Sequence, residues 1–201
     1  MKKTLAQILP SFTHTLVGED GITFANEQTV SAAKAVQIEN LAFDSRKVTQ
    51  NSVFFALPGT HTTGNKFIPQ AIENGAVAIV FQDTFSEEEK EQIALAVSKA
   101  KAKPVFIKVE SARFAMSPAS ACFYDNPSEK LVIYGVTGTE GKSSTVSFIW
   151  QLLRLCGIKA GFISTVQYSL GEDAVNNPEH QTTPEAPIVQ RELYEMLQNG
   201  S

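Results

Sequence analysis

Residues 135–145 read GVTGTEGKSST, which crowds three glycines, one lysine and a run of hydroxyls into eleven positions. A loop of this kind between a buried strand and a helix exposes several backbone N–H groups that have no partner, and the helix dipole adds partial positive charge at the same place. Together these make an anion site. Gly138 and Gly141 allow backbone torsions and a close approach that side chains would block. Lys142 can reach terminal phosphates as a point charge, and the Ser143 hydroxyl is placed to ligate Mg2+. The ordinary nucleotide pattern G-x-x-x-x-G-K-[ST] wants glycine at 136, where Val136 stands. The segment therefore reads as a nucleoside triphosphate loop, against the plainer alternative of a glycine turn that binds nothing.

The flanking segments must hold that loop in place. KLVIYGVTG reads as a strand running into it. KSSTVSFIWQLLRLCG reads as a helix, with apolar positions at Val146, Ile149, Trp150, Leu153 and Cys156 and a stop at Gly157. IKAGFIST gives the next strand. Strand, loop, helix, strand implies a parallel sheet with a right-handed crossover. Trp150 belongs to that core and is not a base-stacking platform.

Upstream, residues 4–9 have helical spacing, SVFFALPG reads as a strand stopped at Pro58-Gly59, and AVAIVF as a buried strand. KFIPQAIENG has helical spacing and stops at Asn74-Gly75. TFSEEEKEQIALAVSKAKAK is the clearest helix, with Thr84 or Ser86 as cap, glutamates in its first turn and lysines in its last. PVFIKV is a further strand. SARFAMSPASACFYDNPS is helical, with Pro118 either kinking one helix or starting a second after a Ser117 cap. DNPSEK separates two alternating α/β blocks, which divides the chain into 1–127 and 128–201. The fold class is α/β: an N-terminal mixed α/β substrate-binding domain, then the start of a parallel-sheet P-loop domain.

The formal charge of -4 argues against nucleic acid as the main partner. No apolar run approaches a membrane span, and MKKTLAQILPSF lacks a cleavage signal, so the cytoplasm is expected. The two cysteines, Cys122 and Cys156, lie in apolar surroundings and read as buried free thiols.

GVTGTEGKSSTVSFIWQLL resembles the ATP loop of the Mur ligase family, whose pattern is G-x-x-G-T-x-G-K-[ST]-[ST]. LAFDSRKVTQNSVFFALPGTHTTGNKFIPQAIENGAVAIV resembles the N-terminal domain of its tripeptide-synthetase branch, and HQTTPEAP resembles that branch's substrate-binding Thr-Thr pair. The resemblance implies an ATP-driven amide ligation. The terminal carboxylate of UDP-MurNAc-L-Ala-D-Glu is phosphorylated, and the acyl phosphate is attacked by the amine of a third amino acid. It implies ATP and Mg2+ as cofactors and a monomeric enzyme. Gly138, Thr139, Glu140, Gly141, Lys142, Ser143 and Ser144 would wrap the phosphates, with Lys142 as the catalytic clamp and Ser143 on Mg2+. Phe43 and Ser45 would contact the UDP end, Thr60, His61 and Thr62 would line the same pocket, and Thr182 and Thr183 would hold the MurNAc-peptide side.

Each role has a plainer alternative. DSR is also a simple turn in which Asp44 pairs with Arg46 or caps, His61 an exposed histidine, and Thr182-Thr183 a loop exit. Glu140 stands where the family has asparagine, and a carboxylate beside phosphates is expected to face solvent or a metal. The family's ligases are much longer. The resemblance therefore implies that this chain is a fragment that does not ligate alone, with an open sheet edge and apolar surface in its second half. A sugar-nucleotide binding module without catalysis is the alternative, and a generic P-loop phosphotransferase a third reading. The identity of the added amino acid is not legible.

Overall fold

The computed structural model describes residues 1–59, 62–178 and 181–201. The chain divides into two compact units, Met1–Phe123 and Tyr124–Ser201.

The first unit runs β1 (Lys3–Thr4), α1 (Leu5–Ile8), β2 (Thr15–Val17), α2 (Glu27–Lys34), β3 (Gln37–Ile38), β4 (Asn40–Ala42), β5 (Ser52–Phe55), α3 (Ile68–Glu73), β6 (Ala76–Phe81), α4 (Glu87–Lys99), β7 (Val105–Lys108) and α5 (Ala112–Phe123). The run AVAIVF is the middle strand of a five-stranded sheet ordered β2-β7-β6-β5-β4, and all six of its residues are buried. A strand covered on both faces needs no polar alternation, which is why this one is continuously apolar. Strands β4, β5, β6 and β7 are mutually parallel, and β2 closes the edge antiparallel to β7. Phe54, Phe81, Phe85 and Phe106 join Ile68, Ile72, Ile79 and Ile93 in the core. Phe81 and Phe85 lie 4.5 Å apart, and each meets Phe106 edge-on.

Helix α4 starts as its sequence dictates. Ser86 accepts from the Glu89 amide, and the Glu89 carboxylate accepts in return from the Ser86 amide, a closed capping box. Helix α5 is one continuous helix through Pro118. The proline forfeits its bond to the carbonyl of Phe114, a residue on the exposed side where solvent can serve that carbonyl. Several short elements go beyond the expectation, among them β2 and α2, which arise inside a polar stretch. Asn26 caps α2 by accepting from the Thr29 amide.

The second unit holds α6 (Lys142–Leu155), β8 (Phe162–Ile163), β9 (Gln167–Ser169), β10 (Val175–Asn176) and α7 (Ala186–Gln198). Its sheet is antiparallel and ordered β10-β9-β8. This corrects the expectation of a parallel βαβ unit around the glycine loop. Residues 131–134 form no strand, and Val132, Ile133 and Tyr134 are exposed. A strand exists only where a neighbouring strand accepts its hydrogen bonds, and no described segment pairs with this one. The helix itself is as expected. Trp150 is buried, donates from Nε1 to the Ala160 carbonyl at 2.9 Å, and packs on Phe162 with the Arg154 guanidinium over its ring. The thiols are a second correction. Both cysteines are free, but Cys122 is only half-buried, its Sγ 3.2 Å from the Gln7 carbonyl, and Cys156 is exposed beside the likewise exposed Phe148, Leu152 and Leu155 of α6. No helix among the described residues is long and apolar enough to cross a membrane.

Candidate nucleotide-binding site

The glycine loop ends in the first turn of α6. Gly138 has φ +151° and Gly141, the helix N-cap, has φ +74°. Both values lie where L side chains are disfavoured, so the torsions explain the glycines. Packing does not, since a β-carbon on Gly141 would meet no atom within 4 Å. The space beside the loop is open. Among the described residues, the amides of 139–144 donate no backbone hydrogen bond, and the first intraloop bond is Thr145 N–H to the Gly141 carbonyl at 2.9 Å. A cluster of unused N–H groups at a helix start therefore faces open space.

The Lys142 ammonium is folded back over this cradle. It donates to the Gly138 carbonyl at 2.7 Å and to the Thr139 carbonyl at 3.1 Å. The charge is thus already at the loop, and reaching an incoming anion requires only side-chain rotation. Glu140 and Ser144 are exposed and Ser143 is half-buried. Among the described residues, no group of three His, Cys, Asp or Glu side chains gathers to hold a metal.

The other predicted residues stand elsewhere. Phe43 and Ser45 follow β4, and Thr62 follows β5. Because β4 and β5 are adjacent and parallel, both loops leave the same carboxyl edge of the sheet, the edge at which open α/β sheets bind ligands. Thr60 and His61 lie outside the described residues. Asp44 does both things open to it in the plain reading: its carboxylate accepts from the Arg46 amide and forms a two-pronged ion pair with the guanidinium at 2.7–3.2 Å. These Arg46 hydrogen bonds hold the Asp44 carboxyl below the usual carboxylate range.

Ser45 is buried, at 5% exposure, and its hydroxyl donates to Gln70 Oε1 at 2.6 Å. Asn74 Nδ2 donates to the Ser45 carbonyl at 2.9 Å. These two α3-side partners were missed from sequence. Their only signal is polarity within a segment whose Phe67, Ile68, Ala71 and Ile72 have helical spacing, and Lys66 and Glu73 share that signal. Thr182 and Thr183 are exposed ahead of α7, and the Thr165 hydroxyl donates to Thr182 Oγ1 at 3.1 Å.

Residues 37–124 match the Mur ligase family catalytic domain, and residues 136–201 match the Mur ligase middle domain. The chain belongs to the Mur ligase family. Among its relatives, a UDP-N-acetylmuramyl-tripeptide synthetase of Treponema pallidum is 51% identical over 169 residues, covering 83% of this chain and 28% of the relative. The enzyme of the same name in Treponema denticola is 48% identical over 174 residues, covering 81% of this chain and 31% of the relative. A UDP-N-acetylmuramoyl-L-alanyl-D-glutamate–2,6-diaminopimelate ligase of Clostridium tetani is 35% identical and covers 82% and 32%. The chain thus spans about a third of the length of these Mur ligases. MurF from Acinetobacter baumannii shares the fold, with a TM-score of 0.55 at 15% identity over 97% of this chain and 33% of that one.

Proposed function

We propose that this chain is the sugar-nucleotide- and phosphate-binding part of an ATP-dependent ligase of peptidoglycan precursor synthesis. The reaction is addition of the third amino acid to UDP-MurNAc-L-Ala-D-Glu through an acyl phosphate, in the cytoplasm. The observation that carries the reading is the opening of α6, where unused amides of 139–144 and one ammonium converge on open space. Relatives named tripeptide synthetase support the substrate.

The residues fit a nucleoside triphosphate. ATP would supply the γ-phosphoryl group that turns a carboxylate, which cannot expel oxygen at neutral pH, into an acyl phosphate, a mixed anhydride with a good leaving group. The chain's part is positioning and charge. Amides from Gly138 to Ser144 would hold phosphate oxygens. Lys142 would leave its two loop carbonyls and neutralise charge as it develops. Ser143 would offer its hydroxyl to Mg2+, and Glu140 would stay in solvent. Phe43, Ser45 and Thr62, with Thr60 and His61, would hold the UDP end at the sheet edge. Thr182 and Thr183 would hold the peptide side. Ligation is proposed for the protein of which this chain matches about a third.

A second reading is a UDP-sugar binding module without catalysis. It is favoured by the contrast between the closed core of the first unit and the exposed, unpaired residues 132–134 ahead of the loop. Isothermal titration of the 201-residue chain with Mg-ATP and with UDP-MurNAc-L-Ala-D-Glu separates the two. Binding of both, with the ATP heat lost in Lys142→Ala, supports the ligase. Binding of the sugar nucleotide alone supports the module.

A further inference from the structure

Ser45 stands at the head of the loop proposed for the nucleotide, yet its hydroxyl proton is already committed. Oγ of the buried serine donates to Gln70 Oε1 of the exposed glutamine at 2.6 Å, a short, partly buried bond. Asn74 Nδ2 holds the Ser45 carbonyl at 2.9 Å, and the Asp44–Arg46 pair fixes the turn from the other side. A hydroxyl has one proton to give and two lone pairs to offer. With the proton spent, Ser45 can only accept. A diphosphate at neutral pH is itself only an acceptor, so Ser45 as held here cannot hydrogen-bond to it. The donors a uridine diphosphate offers are on its nucleoside: the N–H of the uracil ring and the hydroxyls of the ribose.

We infer that Gln70 sets the polarity of Ser45, so that this serine reads a hydrogen-bond donor of the nucleoside and takes no part in holding the diphosphate. Gln70 is then a positioning residue that acts through Ser45, and Asn74 keeps the turn from rotating the hydroxyl away. The inference rests on the nucleotide reading above and adds to it which part of the ligand this loop recognises.

The test is titration of the full chain with UDP, uridine and inorganic pyrophosphate. Gln70→Glu keeps an acceptor in place and should leave UDP affinity within about twofold. Gln70→Met removes the acceptor at similar size and should weaken UDP and uridine alike by about threefold to tenfold, the worth of one hydrogen bond. Pyrophosphate binding should not weaken in Gln70→Met, because a freed Ser45 proton can only add a donor for phosphate oxygens. Within the wild type, weaker binding of CDP assigns the contact to the ring N–H, and weaker binding of 2′-deoxy-UDP assigns it to the ribose. Gln70 is exposed, so Gln70→Glu should melt with the wild type, whereas Gln70→Met, which leaves the buried Ser45 hydroxyl without its acceptor, should melt about 4 °C lower. Equal losses in Gln70→Glu and Gln70→Met, unchanged uridine affinity in Gln70→Met, or a loss that follows pyrophosphate would overturn the inference and leave the nucleotide reading standing. A wild-type chain that binds no UDP removes both.

Discussion

Gly64 begins the short 3-10 turn Gly64–Phe67, directly after the loop that carries Thr62. A β-carbon placed on it would lie 2.3 Å from the Ala56 carbonyl carbon, 2.5 Å from the Leu57 carbonyl oxygen and 2.6 Å from the Ala56 carbonyl oxygen. All are backbone atoms just past β5, and none can rotate aside. Overfilling a packed site costs about 1–3 kcal/mol, and contacts this short with rigid atoms put Gly64→Ala at the upper end, about 3 kcal/mol. For a unit of this size each kcal/mol lowers the melting temperature by about 4 °C, so the first unit should melt about 12 °C lower. Gly141→Ala is the control. It meets no atom within 4 Å, and its cost is torsional, from φ +74°. That cost is about 1–2 kcal/mol and falls on the second unit. Differential scanning calorimetry of the full chain with each substitution makes the comparison. A Gly64→Ala chain melting within about 2 °C of the wild type would refute the reasoning, because the loop after β5 could not then be pressed against the strand end as described.

Two further outcomes are expected. Glu140→Asn removes an exposed carboxylate beside the proposed phosphate cradle. Mg-ATP affinity should stay equal or tighten by up to about threefold, the worth of one screened surface charge; a marked loss in the titration would show that the acid helps hold the cation. Asp20 accepts from the Thr23 hydroxyl and from the Ile22 and Thr23 amides, and these bonds lower its pKa from 3.8 to about 2. A depressed carboxylate contributes stability above its unfolded pKa and loses it as pH falls through the folded one. Thermal melts should therefore show wild type and Asp20→Asn separated above pH 3.8 and converging toward about pH 2.

Much of the first unit was legible because local chemistry and final environment agree. Ser86 and Glu89 announce the start of α4 within four residues, and AVAIVF announces burial on both faces. Elements whose reason lies far along the chain were not legible. Strand β2 exists because Leu16 and Val17 pair with Ile107 and Phe106, some ninety positions later. Ser45 owes its orientation to Gln70, a partner no turn motif mentions. Residues 131–134 show the opposite failure: an apolar run states a preference for burial but cannot supply the neighbour that would accept its hydrogen bonds. At the site, the glycine loop and Lys142 stood out because their residue types are costly without a ligand. The return of the Lys142 ammonium onto its own loop carbonyls is a conformational fact that spacing does not encode.

The placement of β6 has one more consequence. It is the central strand, hydrogen-bonded along both edges and covered on both faces, so its amides open only when the whole unit unfolds. The turn after β4 lies outside the ladder, so its exposed residues Arg46 and Lys47 can change without breaking a strand–strand hydrogen bond. Recognition and folding stability therefore draw on separate parts of the same few strands, and one can drift over generations while the other is kept.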